Sequence, residues 1–102
     1  MQDVTVIGAG PAGLMAAMAA AQRGCRVVLL ESMERPGRKL ALTGHGRANV
    51  SHQMKTEAML AAFGPAAAFL KPAFYALPLS QFTAFLKTVG VSLFTEADGR
   101  IF

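Results

Sequence analysis

The chain has 102 residues, of which 53% are hydrophobic and 16% are charged, and its formal net charge is +4 at pH 7. This length allows one small domain with a modest core, and the apolar content is high for so short a chain. A single cysteine, Cys25, excludes an internal disulfide and a C-x-x-C redox pair. Nucleic acid is not an expected partner, because no basic helix, aromatic platform or zinc-ligand spacing accompanies the positive charge.

Residues 4–22 carry no charge, and a membrane-spanning helix needs about 20 apolar residues. Gly8, Gly10, Pro11 and Gly13 interrupt this stretch, however, and no basic residue precedes it. A strand, a turn and a helix explain those residues, whereas a membrane span or a signal peptide does not. We therefore expect a soluble, cytoplasmic protein with no membrane partner.

The first residues follow the order of a dinucleotide-binding βαβ unit. A short apolar strand, Asp3–Ile7, leads into the turn Gly8-Ala9-Gly10-Pro11-Ala12-Gly13, which has the spacing G-x-G-x-x-G. Gly8 permits the tight turn, Gly10 lets the backbone approach a pyrophosphate, and Gly13 lets the following helix pack closely on the sheet. The N-terminus of that helix offers free N–H groups and a partial positive charge to the phosphates.

A helix from Pro11 to about Arg23 and a second apolar strand complete the unit. The helix is apolar nearly all round, which predicts burial between the sheet and another layer, and Gly24 is expected to cap its end. Arg26–Glu31 forms the second strand, whose continuous apolar character is typical of a parallel strand covered on both faces. Glu31 follows the third glycine at close to the spacing of about 20 residues expected for an acid that binds a ribose hydroxyl.

The connection from residue 32 to residue 56 is long, basic and punctuated by glycine and proline, with a short helical turn expected at Arg38–Leu42. Loops of this length inside compact domains are usually functional or disordered, and the position of this one beside a ribose-binding acid favours function. The whole excess of positive charge lies in residues 1–55. Either an anionic ligand or a merely basic surface explains that distribution.

Two short helices are predicted after this connection. One is expected at Glu57–Phe63, where Thr56 would cap its N-terminus and Gly64-Pro65 would end it. The other is expected at Pro65–Leu70, where Lys71-Pro72 would stop it.

The last third of the chain predicts an amphipathic helix and a β-hairpin. Ser80 is expected to cap the helix and Gly90 to end it, and its apolar residues form one stripe at helical spacing: Phe82, Phe85, Leu86 and Val89. Ser92–Thr95 and Arg100–Phe102 are expected to pair around the turn Glu96–Gly99. Because the second strand has barely begun at the last residue, we expect this sequence to be the N-terminal piece of a longer protein.

The run Pro36–Val50, PGRKLALTGHGRANV, resembles the BaiN-like family of NAD(P)/FAD-dependent oxidoreductases, also called YhiN-type flavoproteins. The family pattern there is approximately G-[RK]-K-[LI]-x-[IL]-[ST]-G-x-G-R-C-N-[VLF]-[ST]. Ser80–Phe102 is similar to the family's continuation, so the resemblance covers essentially the whole chain but only the front part of the family's length. It implies an α/β fold that forms an incomplete domain. Residues 1–56 would be a Rossmann-like FAD-binding βαβ unit with a basic Gly-rich loop, and residues 57–102 short helices and the start of a C-terminal β-hairpin.

The resemblance also implies a site for non-covalently bound FAD. The glycine turn would hold the pyrophosphate and Glu31 the adenosine ribose. Arg38 and Lys39 would lie near the phosphates or the ribityl chain, although a plain solvated charge pair is an equal alternative. The loop after them would bring backbone close to the flavin. The cofactor-binding residues expected on this basis are Gly8, Ala9, Gly10, Pro11, Ala12, Gly13, Glu31, Ser32, Arg38, Lys39, Thr43, Gly44 and Gly46.

Two residues depart from the family pattern. His45 occupies a variable position that is often glycine, and Ala48 stands where the family usually has cysteine, so any role of that thiol is absent here. Asn49 is retained. His45 and His52 are isolated histidines with no partner acid nearby in sequence, so neither is a catalytic candidate.

The function that the resemblance implies is that of a flavoprotein oxidoreductase, in which NAD(P)H reduces FAD and the flavin passes electrons to an organic substrate. No residue qualifies as a catalytic acid, base or nucleophile, and no metal ligand set is expected. Two alternatives stay open: a truncated, non-catalytic fragment, and the NAD(P)-binding module of another dehydrogenase. Alone, this chain is expected to be inactive.

Overall fold

The computed structural model describes residues 1–102, which pack as two compact units, Met1–Ala48 and Asn49–Phe102. The division after residue 56 that the sequence suggests stays a prediction about the domain architecture. A short 3₁₀ turn occupies Gly64–Ala66, whereas Thr43–Gly46 form a tight turn in which Gly44 and His45 are left-handed. None of the helices combines the length and the apolar character that a membrane crossing requires. The helices and strands, in chain order, are β1 (Asp3–Ile7), α1 (Pro11–Gln22), β2 (Arg26–Leu30), α2 (Arg38–Leu42), β3 (Ser51–His52), α3 (Thr56–Ala62), α4 (Ala67–Ala76), α5 (Leu79–Thr88) and β4 (Arg100–Ile101).

The first unit is the βαβ unit that the sequence predicts. Strands β1 and β2 pair in parallel, from Asp3 opposite Arg26 to Ile7 opposite Leu30, and α1 forms the crossover between them. The two side chains of the first pair also meet, because Arg26 donates to both carboxylate oxygens of Asp3 at 2.8 and 2.7 Å. This hydrogen bond raises the pKa of Arg26 above its ordinary value. The α/β fold class and both strand positions are therefore confirmed.

Burial in this unit differs from the prediction. Alternate residues of the strands, such as Val4 and Leu29, are half-buried, while Ile7, Val28 and Leu30 on the opposite face are 85%, 51% and 50% exposed. No residue of α1 is buried. The expectation that α1 and β2 are covered on both sides is therefore wrong for this chain. The helix covers one face of a two-stranded sheet, and neither the other sheet face nor the outer side of the helix has a covering layer within the unit.

The second unit contains the predicted hairpin and one strand pairing that the sequence did not predict. Phe94 and Phe102 exchange two backbone hydrogen bonds of 2.8 Å, and Thr95 lies opposite Ile101, so the hairpin is confirmed. On its other side, β4 pairs antiparallel with β3, with Ser51 opposite Ile101. Ile101 thus has a paired strand on either side of it, and it is only 1% exposed.

The helices of the second unit differ from the prediction in two respects. Helix α4 continues through Pro72 instead of stopping there, and its packing against α3 explains this: the rings of Phe63 and Phe74 lie 5.6 Å apart, beyond the proline. Thr56 and Ser80 are not the N-terminal caps, because α3 and α5 begin after Lys55 and Pro78, and neither helix has a side-chain cap. Both hydroxyl residues lie inside the first turn.

Candidate dinucleotide site

The turn between β1 and α1 has open backbone at its first two glycines and a close contact at the third. Gly8 has φ +98° and donates its N–H to the carbonyl of Leu30 at 2.7 Å. A Cβ built on Gly8 or Gly10 would meet nothing within 4 Å, so the surface at both positions is free for a ligand to approach. A Cβ on Gly13 would instead overlap the carbonyl oxygen of Gly8. The close packing of helix on strand that the spacing predicts at Gly13 is therefore present.

The N-terminus of α1 forms one wall of this region. Gly10 is the N-cap residue, with φ −75° and ψ −178°, and its carbonyl accepts the first helical hydrogen bond from Leu14 at 2.9 Å. The N–H groups of Ala12 and Gly13 precede that bond and have no acceptor within the helix. No acidic side chain lies in the first turn. The 12-residue helix therefore presents its positive end without an internal counter-charge.

Ala9 connects the turn to the two segments that carry the charged residues. Its N–H donates to Glu31 Oε1 at 3.4 Å, and its carbonyl accepts the N–H of Gly37 at 2.7 Å. Ala9 is 1% exposed, so this peptide unit is held on both sides in a buried position. Because both of its polar groups are used within the chain, Ala9 ties Glu31 and the start of α2 to the glycine turn.

A cavity of about 440 Å³ lies where these segments meet. It is lined by Ala9, Gly10, Pro11, Glu31, Met33, Arg38, Lys39 and Leu42. A neighbouring recess of about 400 Å³ at the carboxyl ends of the strands is lined by Ile7, Gly8, Leu30, Glu31 and Ser32. Glu31 lines both spaces. A ligand bound here would therefore meet the carboxylate at the junction of the turn, the strand ends and α2.

The charges around the 440 Å³ cavity favour an anion that also carries hydroxyl groups. Arg38 and Lys39 are exposed and form no ion pair, while Glu31 is the one acid in the lining. Cations beside a helix N-terminus attract phosphate, and a carboxylate accepts hydrogen bonds from ribose hydroxyls. No group of three or more His, Cys, Asp or Glu side chains is positioned to hold a metal ion.

Met33 and Leu42 also line the cavity, although no sequence motif marks them. Their side chains are 48% and 74% exposed, which leaves apolar surface beside the charged groups. The one sequence signal for these two residues is that they are apolar within a connection that is otherwise basic and rich in glycine. Ligand sites are usually mostly apolar with few polar groups, so this surface suits a base such as adenine. The residues present thus fit the adenosine and pyrophosphate part of FAD.

The structure does not bring Thr43, Gly44 and Gly46 into this cavity. They form a separate loop after α2, in which Ala48 N–H donates to the carbonyl of Thr43 at 3.1 Å and Arg47 Nε donates to that of Gly44 at 3.0 Å.

The backbone of this loop is mostly left-handed. The φ values are +58° at Gly44, +55° at His45, +88° at Gly46 and +61° at Ala48. His45 and Ala48, the two departures from the family pattern, therefore occupy a conformation that L-residues with a Cβ rarely adopt. Such strain is held in place by the surrounding hydrogen bonds.

Comparison with known proteins agrees with this geometry. The family model described as the HI0933-like protein Rossmann domain matches residues 2–102. The chain is similar to the ribosomal RNA dihydrouridine synthase of Escherichia coli (strain K12), at 42% identity over 50 residues, which are 49% of this chain and 12% of that protein. It is also similar to the kynurenine 3-monooxygenase of Mycosarcoma maydis, at 42% identity over 55 residues, which are 54% of this chain and 9% of that protein. The matched part is thus a small fraction of either relative. The chain belongs to the HI0933-like Rossmann-domain family, the YhiN- and BaiN-like FAD-dependent oxidoreductases that its motifs indicated.

Proposed function

We propose that this chain binds the adenosine diphosphate half of FAD and contributes that half-site to a flavoprotein oxidoreductase. The observation that carries the proposal is the hydrogen bond from Ala9 N–H to Glu31, because it joins the glycine turn and the acid at one cavity. A glycine turn without such an acid would be equally compatible with other phosphate ligands. The pairing of the two is typical of a dinucleotide site.

The predicted residues have distinct roles in this proposal, and Ala9 positions Glu31 through its N–H. The backbone of Gly8 and Gly10 and the free N–H groups of Ala12 and Gly13 hold the pyrophosphate, while Pro11 starts the helix without using an N–H. Glu31 accepts hydrogen bonds from the ribose, with Ser32 beside it. Arg38 and Lys39 supply positive charge against the phosphates. Met33 and Leu42 cover one side of the adenine. The loop with Thr43, Gly44 and Gly46 stays a proposed flavin contact, supported by the family pattern and not by the cavity.

The redox chemistry would come from the cofactor. When bound, the flavin supplies hydride and electron transfer, with NAD(P)H as the proposed reductant. The chain contributes binding, orientation and charge, and none of its residues is proposed as a catalytic acid, base or nucleophile. Since the segments matched in the two relatives are 12% and 9% of their lengths, reductant and substrate sites are proposed for the longer enzyme and not for this chain alone.

The Escherichia coli relative supports a second candidate for the substrate. Its name describes action on ribosomal RNA, and dihydrouridine differs from uridine by the addition of two hydrogens, which is a reduction. A uracil base in RNA is therefore a candidate substrate of an enzyme that contains this chain. This candidate is contrary to the expectation that nucleic acid is not a partner. The other relative is named for kynurenine, so the two proteins that are similar to this chain are named for different substrates.

A cytoplasmic location is also part of the proposal. Cys25 is the chain's one cysteine and is free, which is compatible with a reducing compartment. Fractionation of cells that express the tagged protein would test this location, and recovery in a secreted fraction would contradict it.

A ligand panel tests the central proposal. The 102-residue chain is titrated with FAD, ADP, adenosine and FMN, and binding is followed by calorimetry. We expect FAD and ADP to bind with similar affinity, adenosine to bind more weakly, and FMN, which lacks the adenosine half, not to bind. FMN binding as tightly as FAD, or no binding of ADP, would refute the proposal. NAD⁺ and NADP⁺ are added as competitors, and their displacement of FAD at lower concentration would favour the NAD(P)-module alternative.

A further inference from the structure

A second cavity lies in the unit Asn49–Phe102, where α3 and α5 begin. Its volume is about 560 Å³, and its polar lining residues are Gln53, Lys55, Thr56, Ser80 and Thr83. A smaller space of about 90 Å³ shares Met54, Thr56 and Leu79 with it. The smaller space continues among apolar side chains: Met59, Phe74, Leu77 and Phe82. The two spaces share three lining residues, so the polar cavity and the mainly apolar space adjoin each other.

Two hydroxyl groups in this polar cavity have no partner within the chain. The sequence predicts Thr56 and Ser80 as helix caps, but α3 and α5 have no side-chain cap, and neither hydroxyl forms a hydrogen bond. Thr83 donates its hydroxyl to the carbonyl of Ser80 at 3.1 Å, which leaves its oxygen as an acceptor. Serine and threonine near a helix start usually satisfy backbone N–H groups. Here two such side chains line one cavity instead, where they are available to a ligand.

The charge at the polar cavity is positive and unpaired. Lys55 is the one charged residue in the lining, and it forms no ion pair. The nearest acid in sequence, Glu57, does not line the cavity and accepts a hydrogen bond from the Tyr75 hydroxyl at 3.2 Å. A single ammonium group with neighbouring hydroxyl donors suits one carboxylate, since these donors can share its two oxygens.

We propose that this cavity binds a small organic carboxylate whose apolar body enters the adjoining space. Lys55, Thr56 and Ser80 hold the carboxylate, and Phe74 and Phe82 contact the apolar body. The site is separate in residues from the dinucleotide cavity and does not depend on the proposed binding of FAD. The adjoining apolar space distinguishes it from a simple phosphate site, for which the hydroxyls and the lysine alone would suffice.

Benzoate is the probe that tests this site, and amide chemical shifts of the isotope-labelled 102-residue chain are the measurement. We expect benzoate to bind with a Kd of about 1 mM or tighter, with shifts centred on residues 53–56 and 78–83. Benzyl alcohol, which has the ring without the charge, and inorganic phosphate, which has charge without the ring, should each bind at least fivefold more weakly. Equal binding of either compound would overturn the proposal.

Matched variants then test the named side chains. Lys55→Gln should weaken benzoate binding about tenfold, whereas Lys71→Gln, an exposed lysine of α4 outside the cavity, should leave it unchanged. The double change Thr56→Val with Ser80→Ala should weaken binding several-fold, while circular dichroism remains that of the parent chain. Equal affinity in the parent chain and Lys55→Gln would overturn the proposal, as would an equal loss in Lys71→Gln.

Discussion

The N–H of Ala9 and the carboxylate of Glu31 are joined by a 3.4 Å hydrogen bond, although 22 positions separate them in the chain. The bond fixes an exposed acid at the end of β2 against a buried peptide unit of the glycine turn. Because the acid is held in one place before the ligand binds, less side-chain entropy is lost on binding.

Glu31→Gln should weaken ADP binding about tenfold or more, because hydrogen bonds to a charged group contribute about 1.5–3 kcal/mol and 1.4 kcal/mol is a factor of ten. The amide can still accept the N–H of Ala9, so the fold should persist. Calorimetric titration of ADP checks the change. Glu34→Gln is the matched control, since Glu34 is exposed and outside the 440 Å³ cavity. Equal affinities in the two variants would contradict a ribose role for Glu31.

Gly13→Ala should destabilise the fold, whereas Gly10→Ala should leave the fold intact and weaken FAD binding. A Cβ at Gly13 overlaps the Gly8 carbonyl, so this variant should lose about 1–3 kcal/mol of unfolding free energy. A Cβ at Gly10 meets no atom within 4 Å and φ is −75°, so Gly10→Ala should fold normally but bind FAD more weakly, because its methyl group occupies the approach of the pyrophosphate. Urea denaturation and FAD titration measure the two effects. Equal stability of both variants would show that the close approach at Gly13 is unimportant.

Gly37→Ala should weaken ADP binding more than adenosine binding. Gly37 has φ +67°, and its N–H holds the start of α2 against the Ala9 carbonyl. An alanine at this φ costs about 1–2 kcal/mol and should displace Arg38 and Lys39, which face the phosphates in our proposal. Titration with both ligands measures the selectivity. A uniform loss for ADP and adenosine would indicate general destabilisation and not a displaced cation pair.

Ala48→Gly should stabilise the first unit by about 0.5–1 kcal/mol, because the relief of left-handed strain outweighs the entropy gained by the unfolded chain. Ala48 has φ +61°. Ala41→Gly, within α2, is the control and should be destabilising, since glycine disfavours a helix interior. Thermal unfolding measures both. A loss of stability in Ala48→Gly would show that the strain is smaller than its dihedral angle suggests.

Asp98 should contribute to acid unfolding. The backbone N–H of Arg100 donates to its carboxylate at 3.0 Å, and this bond, with help from the Arg100 side chain and His52, holds the pKa of Asp98 below its ordinary value of 3.8. As the folded-state pKa is depressed, the stabilisation is present above about pH 4 and is lost as pH falls through the lower, folded value. Urea denaturation between pH 2 and 6 should therefore show a shallower pH dependence in Asp98→Asn than in the parent chain. Glu34→Gln serves again as the control, and identical slopes in Asp98→Asn and the parent chain would contradict the assignment.

Local sequence patterns predicted the first unit well because its structure depends on short-range rules. The strand Asp3–Ile7, Pro11 at the start of α1 and the short helix Arg38–Leu42 all match the structure. Parallel pairing of β1 with β2 follows from the helical crossover between them. In the site, one cavity is lined by Ala9, Gly10 and Pro11 of the turn together with Glu31, Arg38 and Lys39. The roles of these residues toward a cofactor stay predictions.

The features that the sequence did not predict depend on long-range contacts. Ser51–His52 is too short to show a strand pattern, and its pairing with Arg100–Ile101 spans about half of the chain. Pro72 ends a helix by local rules, whereas packing between Phe63 and Phe74 keeps α4 continuous. Met33 and Leu42 carry no motif, and only the folded connection places them beside Glu31.

Cys25 allows the chain to be assembled from two segments by chemical ligation. It follows Gly24, just before β2, and is the chain's one cysteine. Residues 1–24, made as a synthetic peptide thioester, could be joined there to residues 25–102 produced in cells. A D-alanine at position 8 would then tolerate the φ of +98° and add a methyl group where glycine has only hydrogen. Backbone conformation and ligand access at the glycine turn could thus be varied separately, which no genetically encoded substitution achieves.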